Sequence, residues 1–412
     1  MSATAQLLRP LRMAVLFDQR VSAGGGFQQS VNAALLVSQL PPDLVRPVFL
    51  TTLESNLAEL KAHGIEATYL NISRFDRFLL RLRHLVKTNA LYHWIKKFQR
   101  LNALDRQLSE LNIDLVYFLS SSMLGHYLER TNYITTVWDL CHLDAPEFPE
   151  VRDDFQFEIR ETLYSGLLRK SVAILVDSAP GQANAARRYG VDMERIHIMP
   201  FAPAPGVNAV RTDTAQIDIR GKYDLACPYV YYPAQFWAHK NHTYLLLGLR
   251  RLEELHGHAI GAIFSGGDMG NLAHIKQQAE TLGLSERVRF AGYVPGNEIP
   301  VLYQQALALV MPTYFGPTNL PPLEAFLLGV PVLYPDLPGL RDQVGGAALL
   351  IDLKVPDSLA HQLARLLDSP GLRNQLIDAG KVQLDLHSDE ARIETWKKIL
   401  QEFRLRRICW AD

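Results

Sequence analysis

Short apolar runs, each ended by polar residues and separated by helix-length stretches, constrain this chain most. The first half holds RMAVLFD (12–18), LVRPVFLTT (44–52), DLVYFLSS (114–121), YITTVWD (133–139) and SVAILVDS (171–178). Runs that are apolar on both alternate faces read as strands buried on both sides, and such strands belong to parallel sheets. Helical segments lie between them, so the expected unit is a repeated βαβ. The pattern then restarts with YVYYPAQ (229–235), GAIFSGG (261–267), RVRFAGYV (287–294), LALVMPT (307–313), VPVLYP (330–335) and AALLID (347–352). The Pro- and Ala-rich stretch 199–213 between the two series reads as a linker. The predicted fold is α/β, with two doubly wound domains, residues 1–205 and 206–390, and a C-terminal amphipathic helix at 391–412.

A chain of 412 residues fits two domains, and 48% apolar with 21% charged residues is ordinary for a globular enzyme. The formal net charge of −1 offers no global attraction to nucleic acid. The N-terminal sequence shows no signal peptide, and no run of about 18 apolar residues suggests a membrane span. Cys141, Cys227 and Cys409 lie far apart, which predicts neither a disulfide framework nor a metal cluster, and suits a reducing cytoplasm.

Ligands of doubly wound sheets bind at the carboxyl ends of the strands, so those loops are where chemistry is sought. In MPTYFGPTNLPPLEAFLLGVPVLYP (311–335), a strand stops and a helix begins on Pro321 and Pro322, with Thr318 or Asn319 as its cap. The N–H groups of Asn319, Leu320 and Leu323 are expected to be free there and to form an anion site. Glu324, one turn in, is either an acceptor for a ribose diol or a partner of the helix dipole. Lys240, in the loop after the strand 229–235, is either a counter-charge for a leaving diphosphate or a solvated surface lysine. Gly24, Gly25 and Gly26 permit close backbone approach to a ligand or make a plain flexible turn. Gly266 and Gly267 form a similar strand-exit loop. Asp139 and His142 follow another strand, where they would orient or deprotonate an acceptor hydroxyl, or else act as loop cap and structural histidine. Residues 74–106 carry nine Lys/Arg against two Asp, with Phe75, Phe78, Leu79, Leu82, Leu85, Tyr92, Trp94 and Phe98 interleaved. Such a helix lies on an anionic membrane or is a solvated face of its own domain.

Taken together, YYPAQFWAHKNHTYLL, FSGG, VRFAGYV and the 311–335 stretch resemble the retaining family 4 glycosyltransferases of the GT-B fold, in which two Rossmann-like domains face each other across a cleft. The resemblance covers residues 229–352 in detail, the first half more loosely, and is greatest to bacterial mannosyl- and rhamnosyltransferases of surface polysaccharide synthesis. It implies transfer of a hexose with retention, from a nucleoside-diphosphate sugar (GDP-mannose favoured), to a glycan or lipid-linked glycan. It implies no metal and no resident cofactor. The family's phosphate lysine falls on Lys240 and its ribose glutamate on Glu324. The family's other glutamate, which contacts the transferred sugar, falls on Gly316, leaving the backbone of 316–319 to substitute. Its arginine is absent, with Ala234 and Gln235 standing nearby, and Trp138 stands at its histidine, with His142 four residues later as a replacement. A sugar-nucleotide epimerase and a non-catalytic binding protein of the same fold are the alternatives.

Overall fold

A computed structural model describes residues 9–20, 25–87, 92–94, 97, 101–203, 217–316, 318–386 and 388–410. It divides into two compact units: Met1–Trp138, Glu158–Pro200 and Asp389–Asp412 in the first, Asp139–Phe157 and Phe201–Ser388 in the second. Residues 139–157 therefore cluster with the second unit, although the sequence reading placed them in the first domain.

The first unit holds a parallel sheet of β1 (Leu11–Phe17), β2 (Val45–Thr51), β3 (Thr68–Tyr69), β4 (Leu115–Phe118), β5 (Asn132–Val137), β6 (Ala173–Val176) and β7 (Ile196–Ile198). Their order is β3-β2-β1-β4-β5-β6-β7. Alternation decides which face each residue covers. Met13, Val15 and Phe17 of β1 and Leu115 and Tyr117 of β4 pack on one side, with Val31, Ala34 and Val37 of the helix Gly25–Ser38. Ala14 and Leu16, with Val116 and Phe118, pack on the other, against Leu80, Leu104 and Leu108. Both faces are covered, which is why these strands read as continuous apolar runs.

The C-terminal helix Asp389–Arg407 completes the first of those faces. Trp396, Ile399, Leu400 and Phe403 are buried in that core, and the Trp396 ring meets Tyr117 edge-on at 4.8 Å. Asp114, just before β4, binds Arg9 through two hydrogen bonds of 2.7 Å.

The second unit holds β8 (Tyr229–Pro233), β9 (Gly261–Ser265), β10 (Val288–Gly292), β11 (Leu309–Val310), β12 (Val332–Pro335) and β13 (Ala348–Ile351), in the order β10-β9-β8-β11-β12-β13. All pairs are parallel. The chain starts at β8, winds one way to β10, then crosses back to β11. Strand direction of travel thus reverses between β8 and β11, and the crevice at that switch point is where such sheets take ligands. The loops leaving β8 and β11 lead to Lys240 and Asn319.

Candidate active site

The β8 exit is shaped by tyrosines that the strand buries. Tyr231 shares a hydrogen bond of 2.7 Å with Ser265, and the Tyr232 hydroxyl donates to the Lys240 carbonyl at 2.9 Å. After one 3-10 turn, Ala238–Lys240, Asn241 takes a left-handed conformation and its side chain accepts from the Tyr244 amide at the start of the helix His242–His256. Lys240 is thereby fixed at its backbone on both sides, with its side chain half-buried.

The β11 exit meets it. The Tyr314 amide donates to the His239 carbonyl at 2.9 Å, which ties the two loops together. The Lys240 ammonium donates to Asn319 Oδ1 at 3.3 Å. Asn319 is the residue before the helix Leu320–Leu327, but its side chain does not cap that helix. Its Nδ2 donates instead to the Tyr334 hydroxyl at 2.6 Å. Nor is its amide free: Asn319 N–H donates to Gln343 Oε1 at 3.0 Å, and Gln343 Nε2 donates to the Asn319 carbonyl at 2.6 Å. The expected cap and one of the three expected anion donors are thus corrected. Tyr334 takes the side-chain amide and Gln343 the backbone, and together they hold Asn319 with its Oδ1 turned to Lys240. The two prolines after Leu320 carry no N–H, so Leu320 and Leu323 provide the amides of this helix start. Thr318 stands just before it in the loop.

Burial lowers the Lys240 pKa to about 8, against the opposing charges of Asp139, Cys141 and Glu150. The sequence-predicted pair Lys240 and Asp139 is therefore in electrostatic contact within the second unit. Glu324 is buried, and Tyr303 donates to its Oε2 at 2.8 Å. Burial raises its pKa, and that hydrogen bond opposes the rise.

Gly316 has φ of +105°, and a Cβ there would point at the Asn319 amide, 3.2 Å from Oδ1. A glutamate in this backbone would be strained and would press on the group that holds Lys240. The loop's conformation at 316 therefore suits glycine and disfavours a carboxylate-bearing side chain.

Other expected positions serve the scaffold. His142 is fully buried in the short helix Cys141–Asp144, edge-on to Phe157 at 5.6 Å, which favours the structural alternative for it. Gly266, at φ of +148°, lies so close to the Ala234 carbonyl that a Cβ would sit 2.3 Å from it; its close approach is to its own backbone. Gly267 beside it faces open space. In the first unit, Gly26 is covered by the Trp138 indole, 2.6 Å from where a Cβ would be. Gly25 begins the helix Gly25–Ser38. Gly24 lies outside the described residues.

Sequence reasoning missed Gln343, Tyr334, His239 and Glu150. His239 is buried beside Lys240, stacked on Phe315 at 3.9 Å, and bonded through Nδ1 to Glu150. Burial lowers its pKa to about 4, so it is a neutral donor. No group of three His, Cys, Asp or Glu among the described residues is placed to hold a metal ion.

This geometry can be compared with known proteins. Residues 218–383 match the model of the glycosyl transferases group 1 family. The matched residues lie within the second unit. The group 1 segment contains Lys240, Asn319, Glu324 and Gln343. The chain is 29% identical over 260 residues to O-antigen chain mannosyltransferase B of Escherichia coli, which covers 62% of this chain and 66% of that protein. It is 26% identical over 200 residues to O-antigen chain mannosyltransferase RfbU of Salmonella typhimurium, covering 47% and 52%. The matches thus span less than two thirds of either relative. The fold of Anabaena HepE, solved with UDP and glucose, superposes with a TM-score of 0.70 at 16% identity, over 95% of this chain and 100% of that one. The GT-B fold thus extends over 95% of the chain, well beyond the matched segment.

Proposed function

We propose that this chain is a retaining glycosyltransferase that moves a hexose, mannose in the favoured case, from GDP-mannose to a glycan or lipid-linked glycan of a surface polysaccharide, without a metal. One observation carries the reading: the Lys240 ammonium stands 3.3 Å from Asn319 at the start of the helix Leu320–Leu327, at the switch point of the second sheet. A cation and a helix start side by side neutralise a pyrophosphate, and they do so more strongly as charge develops on the leaving group. Glu324 takes the ribose diol and Asp139 orients the acceptor hydroxyl. The mannosyltransferase names of the E. coli and Salmonella relatives support the choice of sugar.

A thermal-shift comparison of GDP, UDP and ADP tests the donor. A ligand held only by the native state, at a hundredfold excess over its Kd, adds about 2.7 kcal/mol of stability. GDP is expected to raise Tm by several degrees and to outdo the others. No shift with any of the three would refute the reading.

The acceptor's membrane is proposed from the helix Arg74–Leu85, where Phe75, Phe78 and Leu85 are 67%, 60% and 76% exposed beside exposed Arg74, Arg77 and Arg81. No helix among the described residues is long and apolar enough to cross a membrane, so contact would be at the surface. Phe98 of the same basic stretch lies outside the described residues. The chain is expected to float with phosphatidylglycerol-containing vesicles at low salt, to lose most of that binding as Phe75→Ser/Phe78→Ser, and to bind neutral vesicles poorly. Equal flotation of the double variant would remove the helix from the proposal.

A further inference from the structure

Glu150 has no part in the reading above, yet it is one of the most constrained carboxylates in the second unit. It lies in the 3-10 turn Pro149–Val151. Its Oε1 accepts from the His239 amide at 2.9 Å and from the His239 ring. His239 in turn stacks on Phe315, the neighbour of Gly316, and Phe148 closes over Phe315 with ring centroids 5.4 Å apart. Burial raises the Glu150 pKa, but the His239 hydrogen bonds outweigh it and the net shift is downward. The group is therefore ionised and can only accept. Its second oxygen, Oε2, is buried and has no hydrogen-bond partner among the described residues. A charged oxygen in that condition is costly, and native proteins rarely keep one without a use.

The place of this vacancy matters. It lies one aromatic stack from position 316, where this chain lacks the carboxylate expected to touch the transferred sugar, and near enough to Lys240 for their charges to interact. Sugar hydroxyls are donors. We propose that Glu150 replaces the missing carboxylate: His239 holds Oε1, and Oε2 accepts a hydrogen bond from a hydroxyl of the transferred sugar. The inference rests on the nucleotide-sugar reading, and its specific content is that a strap outside the matched group 1 segment selects the sugar.

The test compares calorimetric binding of GDP and of GDP-mannose to the full chain and to Glu150→Gln. GDP binding should stay within about threefold, while GDP-mannose binding falls about tenfold or more, the usual range for a hydrogen bond to a charged group. Glu150→Asp, whose shorter arm withdraws the oxygen, should show the same selective loss and serves if the Gln variant does not fold. Equal losses for both ligands would make Glu150 a structural support of the Lys240 loop and overturn the proposal. An unchanged preference for GDP-mannose over GDP would overturn it too. Wild-type protein that binds neither ligand would instead bring down the donor reading, and this inference with it.

Discussion

Lys240→Ala is expected to lower the turnover of the sugar nucleotide by about 10²–10³-fold, equivalent to about 2.7–4 kcal/mol of transition-state stabilisation. The Lys240 ammonium contacts the helix start through Asn319. Ala234 and Gln235 stand where the family resemblance would place an arginine, so the load rests more on Lys240 and the helix start. The effect should fall on kcat more than on acceptor binding, because the negative charge on the leaving phosphate grows as the bond breaks. Its pH dependence follows from burial. With a pKa lowered to about 8, the free enzyme loses the ammonium as pH rises through that value, so kcat/KM should decline above pH 8. Bound pyrophosphate favours the charged form, so kcat should decline at higher pH than kcat/KM does. Initial rates of nucleoside-diphosphate release between pH 6 and 10 would show both limbs. A Lys240→Ala enzyme with near wild-type turnover would end the assignment.

Gly266→Ala should destabilise the protein by about 3 kcal/mol, whereas Gly267→Ala should change stability by less than about 0.5 kcal/mol. The two glycines are adjacent, and sequence alone treats them alike. At Gly266 the added carbon would lie 2.3 Å from the Ala234 carbonyl oxygen, 2.6 Å from its carbon and 2.8 Å from the Gln235 nitrogen. All three are backbone atoms at the exit of β8, and none can rotate aside. The φ of +148° adds strain of its own. At Gly267 nothing lies within 4 Å. Thermal unfolding should separate the variants by roughly 6–12 °C, taking about 2–4 °C per kcal/mol for a domain of this size. Because the collision would push the β8 exit that leads to Lys240, the Gly266 variant should lose activity even where it stays folded. Equal melting temperatures would contradict the close approach.

The strands were legible because both faces of each sheet are covered, which leaves long apolar runs with few interruptions. The two strands that escaped notice, β3 and β7, span only Thr68–Tyr69 and Ile196–Ile198, too short for a periodic signal, and both β3 residues are exposed. Lys240 and Asn319 could be picked out because strand exits at a switch point are a topological rule, independent of side-chain detail. What failed was anything decided by a distant residue. Asn319 seemed a free helix cap until Gln343, beyond the next strand, occupied its amide and carbonyl. Sequence left His142 open between an acceptor-orienting and a structural role, and its packing on Phe157 favours the second. Glu150 carried no signal, since its partner His239 comes from the other half of the chain.

The closing helix Asp389–Arg407 gives the first unit a peculiar birth order. Trp396 and Phe403 belong to the same core as Met13 and Val15, yet they leave the ribosome only after residues 201–388. Nascent domains ordinarily mature from the amino end. Here the amino-terminal half must wait, with one sheet face unsealed, while everything from residue 201 to 388 is synthesised and can settle first. A translating ribosome would hold a finished second unit and an unfinished first one, a state in which chaperone capture and stalled-chain proteolysis should concentrate on the earliest residues rather than on residues 201–388.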